Sequence, residues 1–280
     1  MPPDDLLPAA RWRARLALAF ERRGARSVLA SREHDGPLVV QKALHPEGDA
    51  VCHAIVVHPP AGIAGGDELV IDIAAREGAN ALLTTPGAAK WYRSAGPWAK
   101  SRVAIAAEGG AAVEWLPQET IVYDGALADI GWQARIAASA RLIAWDIVCL
   151  GRTGAGERFE KGRVRLESRL YREGRLAWLE RGCIEPGSPL TDSAAGLSGM
   201  SVAGTMIAAA PEIEDDWLAQ CREVAPAEGV GAVTRLPGVL VARYRGDSGE
   251  AARGYFTALW KRLRGPMMGL EPAEPRIWRT

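Results

Sequence analysis

The chain has few of the features that fasten or place a protein by simple chemistry. Its four cysteines, Cys52, Cys149, Cys183 and Cys221, lie far apart with no Cys-x-x-Cys pair, which argues for reduced thiols and against a disulfide frame or structural zinc site. It has no excess of charge: 34 Lys and Arg against 34 Asp and Glu leave a formal net charge of +0, so no general field draws nucleic acid or an anionic membrane. It has no long apolar run either. Segments 142–150 and 203–211 fall well short of the ~20 residues that span a bilayer. The first residues, with Asp4, Asp5 and an apolar patch at 16–20 set between arginines, do not read as a secretory signal, so the expected compartment is the cytoplasm. Phenylalanine is scarce, at 3 residues against 10 tryptophans, and all four histidines fall between His34 and His58.

Common catalytic signatures are missing as well. The run Gly151-Arg152-Thr153-Gly154-Ala155-Gly156 lacks a following Lys-Ser/Thr and lies between two expected strands, so it reads as a loop and not as a phosphate or dinucleotide cradle. No Gly-x-Ser-x-Gly elbow, His-Glu-x-x-His helix or kinase set is present. His53 and His58 are five apart, which on one strand puts them on opposite faces, and His45 precedes Pro46 at a turn. These read as hydrogen-bonded structural histidines. The competing reading is a metal-dependent β-fold enzyme that uses His45, His53 or His58 with Asp67.

What is present is ordinary globular chemistry, with 280 residues, 48% hydrophobic and 24% charged, enough to bury a core without staples. Period-2 segments broken by Gly, Pro and Asp predict strands at 27–32, 38–43, 54–58, 68–74, 81–85, 101–107, 111–116, 120–123, 131–137 and 141–150. Strands at this spacing without intervening helices imply an antiparallel or solenoid-like β architecture. A hairpin follows at 162–171 and 175–183 around Arg172-Glu173-Gly174. Beyond it the pattern predicts a strand at 200–209, a helix at 212–224, a hairpin at 232–236 and 239–245, and a helix at 248–264. Ser248 reads as the last helix's N-cap, Tyr255, Phe256, Leu259, Trp260 and Leu263 form its apolar stripe, and Arg262 and Arg264 suit the dipole at its end. The expectation is one mainly β domain over 1–280, with a small βαββα subdomain from about 200–265 as an option.

Two carboxylates interrupt apolar strands. In 141–150, Asp146 shares a face with Leu142, Ala144 and Val148, and Glu180 lies on the Leu176–Trp178 face of its own strand. A bare buried carboxylate costs several kcal/mol unless it is paired, hydrated or neutralised. The alternatives are a salt bridge to an arginine, or a water-filled passage whose carboxylates attract a divalent cation.

Four motifs stand out: His58-Pro59-Pro60 running to Gly65-Gly66-Asp67; Thr84-Thr85-Pro86-Gly87 running to Lys90-Trp91-Tyr92-Arg93; Glu114-Trp115-Leu116-Pro117-Gln118-Glu119; and Cys149-Leu150-Gly151-Arg152. The chain closes on Pro275-Arg276-Ile277-Trp278-Arg279-Thr280. Together these resemble the UreD-type urease accessory proteins, called UreH in some species. The resemblance runs from about Trp12 to Thr280, with Ala61 and Ala64 where the family usually has Gly and Val. It implies a mainly β, solenoid-like fold with two C-terminal helices and a non-enzymatic scaffold that loads nickel into apo-urease with UreF-type and UreG-type partners. By similarity Asp67, Glu68, Asp146 and Glu180 line a transient nickel path, with no tightly bound cofactor. The C-terminal Tyr255, Trp260, Arg264, Arg276 and Trp278 are expected to hold the UreF-type partner. The motif glycines are expected at turns with positive φ. A third reading is a bridging scaffold that never contacts nickel.

Overall fold

A computed structural model describes residues 12–279, so Asp4, Asp5 and Thr280 lie outside the described residues. In chain order the strands are β1 (Arg13–Arg23), β2 (Arg26–Asp35), β3 (Val39–Leu44), β4 (Cys52–Val57), β5 (Gly62–Ile63), β6 (Glu68–Ala75), β7 (Asn80–Thr84), β8 (Ala89–Trp91), β9 (Ala99–Ala107), β10 (Ala112–Trp115), β11 (Thr120–Val122), β12 (Leu127–Ile136), β13 (Arg141–Leu150), β14 (Arg163–Arg172), β15 (Arg175–Ile184), β16 (Val202–Ala209), β17 (Val230–Leu236) and β18 (Val239–Gly246). The helices are α1 (Pro189–Asp192), α2 (Asp215–Arg222) and α3 (Gly249–Met268).

The strands form two facing sheets. One has the order β15-β14-β12-β9-β6-β1-β2 and the other β17-β18-β16-β13-β10-β7-β4-β3. From β6 to β14 the chain alternates between the sheets, and β1, β6, β9, β12 and β14 run parallel, as do β4, β7, β10 and β13. This is a β-solenoid. Its corners stack: Gly78 N donates to Gly109 O at 3.0 Å and Gly110 N to Ser139 Oγ at 2.9 Å. Antiparallel hairpins close both ends, β1–β2 and β3–β4 at one and β14–β15 and β17–β18 at the other.

Alternation explains the layers. In β13, Leu142, Ala144 and Val148 face the core between the sheets, while Ile143, Trp145 and Ile147 face a second core beneath α3. That second core holds Tyr255, Phe256, Leu259, Trp260 and Leu263, the stripe expected from the sequence. Trp145 packs against Phe256 and Trp278 with ring centroids 6.2 and 5.7 Å apart, a geometry worth ~0.5–1.5 kcal/mol per pair beyond burial.

The structure differs from the expected elements in several places. β1 was not anticipated, although Ala14, Leu16, Leu18 and Phe20 alternate as buried residues along it. The helix expected at 212–224 shrinks to α2. The one expected at 248–264 starts at its N-cap, where Ser248 Oγ accepts from Ala251 N, but runs on through Pro266 to a left-handed Gly269 at φ 67°. Met267, 1% exposed, belongs to the second core, which gives the turn beyond Pro266 a packed face. β16 pairs directly with β13 in the second sheet.

Candidate functional site

The four motifs, distant in sequence, meet in space. A short parallel ladder joins β5 to β8, β8 to β11, and β11 to the last residues of β13. Its register stacks Ile63, Trp91, Val122 and Leu150 in one buried row. Gly62, Lys90, Ile121 and Cys149 form the alternate row. Beside the ladder Tyr92 meets Tyr123 edge-on at 5.2 Å, and the Arg152 guanidinium sits 4.5 Å from the Tyr123 ring centre while pairing with Glu157 at 2.6 Å. Thr85 Oγ1 accepts from Gln118 N at 2.9 Å, tying two motifs together.

The motif glycines have mixed reasons. Gly66 and Gly151 do adopt positive φ, 100° and 83°. Gly65 and Gly87 do not, which corrects the turn expectation. At Gly65 a Cβ would stand 2.3 Å from Ser94 Oγ, while Gly87 has open space. Gly62 is set by close approach, since a Cβ there would lie 1.9 Å from the Tyr92 ring. We expect Gly62→Ala to cost about 1 kcal/mol in urea unfolding, because the exposed Tyr92 ring can swing away from Tyr123; no change would mean the ring is not held there. Ala61, where the family usually has Gly, itself has φ 59°.

The motif Glu114-Trp115-Leu116-Pro117-Gln118-Glu119 is a socket for α3. Glu114, 1% exposed, accepts from Trp260 Nε1 at 2.6 Å and from Arg264 Nε at 3.0 Å and Nη2 at 3.1 Å. Arg264 also pairs with Glu47, which in turn bonds His53. Burial pushes the Glu47 carboxyl up, but the bonds from His53 and Arg264 outweigh it and hold it below its ordinary value. Pro117 O accepts from Trp145 Nε1 at 2.8 Å, and Arg253 Nη1 donates to Gln118 Oε1 at 2.6 Å. Trp278 Nε1 donates to Thr84 Oγ1 at 2.8 Å, fastening the C-terminal segment.

This corrects two expectations. Arg264 serves a buried ion cluster and not the helix dipole. Tyr255, Trp260 and Arg264, expected as partner anchors, are 3%, 0% and 0% exposed, and Trp278 packs on the second core, so these side chains are spent inside the chain; Arg276 alone of the five is exposed. A C-terminal apolar stripe looks the same in sequence whether it meets a partner or its own sheet.

Asp146 lines two cavities. One, of about 220 Å³, lies between the sheets beside the motif ladder and is lined by His58, Thr85, Trp91, Gln118 and Asp146. The other, of about 700 Å³, opens at the β15–β18 end and is lined by Asp146, Glu180, Arg243 and Arg245. Trp132 Nε1 donates to Asp146 Oδ2 at 2.6 Å. Burial pushes the Asp146 carboxyl up to about 7, with the Trp132 bond opposing and the Glu180 charge adding. Glu180 has an arginine partner, Arg243, and Asp146 has none among the described residues. The structure therefore brings Asp146 and Glu180 to one cavity. Asp67 and Glu68 sit apart, at the half-buried start of β6: Asp67 Oδ2 accepts from Ala64 N at 2.8 Å, and Glu68 lies 4.0 Å from Arg13. Asp67 does stand close enough to His58 to oppose the lowering that burial imposes on that imidazole.

Two of the other histidines are engaged in hydrogen bonds. His53 bonds Glu47, and His45 Nε2 lies 2.8 Å from Ser27 O. Among the described residues, no group of three or more His, Cys, Asp or Glu is placed to hold a metal ion. Sequence reasoning missed Glu47 and Arg243. Glu114 could have been marked by the logic applied to Asp146, since it interrupts the apolar run 111–116.

The family model for the UreD urease accessory protein matches residues 13–279. A urease accessory protein UreD of Azoarcus sp. (strain BH72) is 55% identical over 269 residues, covering 96% of this chain and 94% of the relative. That of Dechloromonas aromatica (strain RCB) is 52% identical over 277 residues, covering 96% and 95%. That of Pseudomonas aeruginosa (strain PAO1) is 46% identical over 281 residues, covering 100% and 99%. The match spans both sheets, the motif ladder and α3, and on that basis the chain belongs to the UreD family of urease accessory proteins.

Proposed function

We propose that this chain acts in the cytoplasm as a non-catalytic accessory protein for GTP-dependent nickel insertion into apo-urease, in a complex with UreF-type and UreG-type proteins, and that nickel crosses it as cargo. The observation that carries the reading is that Asp146 lines both cavities, with Glu180 at the wider one. Two oxygen donors without a cysteine or histidine cage suit a hard, labile stop better than a storage site. A carboxyl raised to about 7 can exchange its proton for a cation near neutral pH. Asp67, beside His58, and Glu68 would act outside the first cavity. No described helix is long and apolar enough to cross a membrane, in keeping with the compartment proposed.

The test is activation of purified apo-urease with nickel, GTP and the two partner proteins, with and without this chain. Urease nickel content and activity should fall to background when it is left out. Equal nickel loading without it would sink the proposal. In the same assay Asp146→Ala that remains folded should still assemble but transfer little nickel. Normal transfer by that variant would favour the bridging scaffold that never contacts the metal.

A further inference from the structure

The wider cavity is lined by Arg181, Arg243 and Arg245 as well as by carboxylates. In the second sheet Asp146 pairs with Thr205, and Thr205 pairs with Arg243, so the three stand in one row across β13, β16 and β18. Glu180 faces this row from β15 of the first sheet, and Arg243 reaches across to bond it. The same Nη1 lies 3.0 Å from Thr205 Oγ1, and the guanidinium lies 5.5 Å from the Trp178 ring centre. Trp178 is itself held by its Nε1 bond to Ser168 Oγ at 3.0 Å. The Arg243 and Glu180 side chains are 46% and 28% exposed, so their bridge spans the cavity where it meets solvent. Two residues on, Arg245 Nη1 donates to Ala194 O at 2.7 Å and Gly196 O at 2.6 Å, pinning the segment that covers the same cavity.

A guanidinium and a divalent metal ion compete for one carboxylate. We propose that Arg243 is a tethered counter-ion that gates this mouth: it occupies Glu180 at rest, and a divalent cation entering or leaving must displace it. Displaced, the guanidinium still has Thr205 and the Trp178 face beside it, so it need not leave the wall. The gate keeps Glu180 neutralised between transfers and raises the cost of holding an ion there, which favours release over storage. This inference rests on the nickel-passage reading above.

The test is equilibrium dialysis of nickel(II) against the purified full-length chain, its fold checked by circular dichroism. Arg243→Met keeps the apolar stem over Trp178 and removes the charge. It should bind nickel about tenfold more tightly than the wild type, because one nearby like charge is gone. Arg243→Lys should behave as wild type, and Glu180→Gln added to Arg243→Met should abolish the gain. If Arg243→Met does not fold, Arg243→Gln, which keeps a donor for Glu180 and Thr205, carries the same comparison. Wild-type affinity in a folded charge-free variant, with Asp146→Asn still weakening nickel binding, would overturn the gate alone. No change in any of these variants, Asp146→Asn included, would overturn both the gate and the passage.

Discussion

Arg264→Met is expected to lower the unfolding free energy by about 4 kcal/mol, a large share of the ~5–15 kcal/mol available to a folded domain. The side chain is fully buried and bonds Glu114, Glu47 and the Glu271 carbonyl. Burial lowers the guanidinium's hold on its proton, but the bonds and charges of the two glutamates outweigh it and hold it above its ordinary value. Removing it leaves two carboxylates in a site with almost no water, and an uncompensated buried charge costs far more than the pair contributes. Trp260, which gives its N–H to Glu114 and lies 4.9 Å below the guanidinium, loses its support, so α3 should loosen from β10. Urea unfolding followed by tryptophan fluorescence measures this directly. Glu114→Gln added to Arg264→Met should recover part of the loss, because it removes one stranded charge; strictly additive losses would mean the two do not form one unit. A single-variant loss below about 1 kcal/mol would show that the cluster holds little of the fold together.

Asp146→Asn is expected to change how stability depends on pH. Burial pushes the folded-state carboxyl from the ordinary 3.8 up to about 7. Below the lower value both states are protonated and the group contributes nothing. Between the two values the unfolded chain ionises freely while the folded one resists, so wild-type stability falls as pH rises. Above about 7 the folded carboxyl ionises too, and the difference levels off. The charged and titratable groups around Asp146 are His58 in the first cavity, Trp132 through its N–H, and Glu167, Glu180, Arg181, Arg243 and Arg245 in the second. Asparagine accepts the same bond from Trp132 without a charge. Its stability relative to wild type should therefore rise by about 2 kcal/mol between pH 5 and pH 8, as read from urea midpoints. A pH-independent difference would mean Asp146 ionises normally and the cavities hydrate it well.

Local periodicity carries most of what was legible. β13, with both faces apolar, was bounded correctly at 141–150, and the parity that put Asp146 on the Leu142–Val148 face also put it between the sheets. The Ser248 cap and the two late hairpins are local chemistry and were readable for the same reason. β1 was equally readable: its Ala14, Leu16, Leu18 and Phe20 alternate cleanly as buried residues, with arginines at both ends of the strand. A charged outer face is what a half-exposed strand should carry.

The rest depends on partners that sequence spacing does not encode. Glu114 and Arg264 are 150 positions apart, and Glu47 and Arg264 are 217 apart. Nothing in a helical stripe says whether it covers a neighbour or its own sheet, so Tyr255, Trp260 and Arg264 read as surface anchors until the fold buried them. Asp146 and Glu180 were marked alike by burial logic, yet only Glu180 meets an arginine, because β18 lies two strands from β13 and opposite β15. Alternation and capping are properties of a few adjacent residues, so composition and order suffice to read them. Pairing of charges across sheets is set by strand order and register, and those follow from how the whole chain coils.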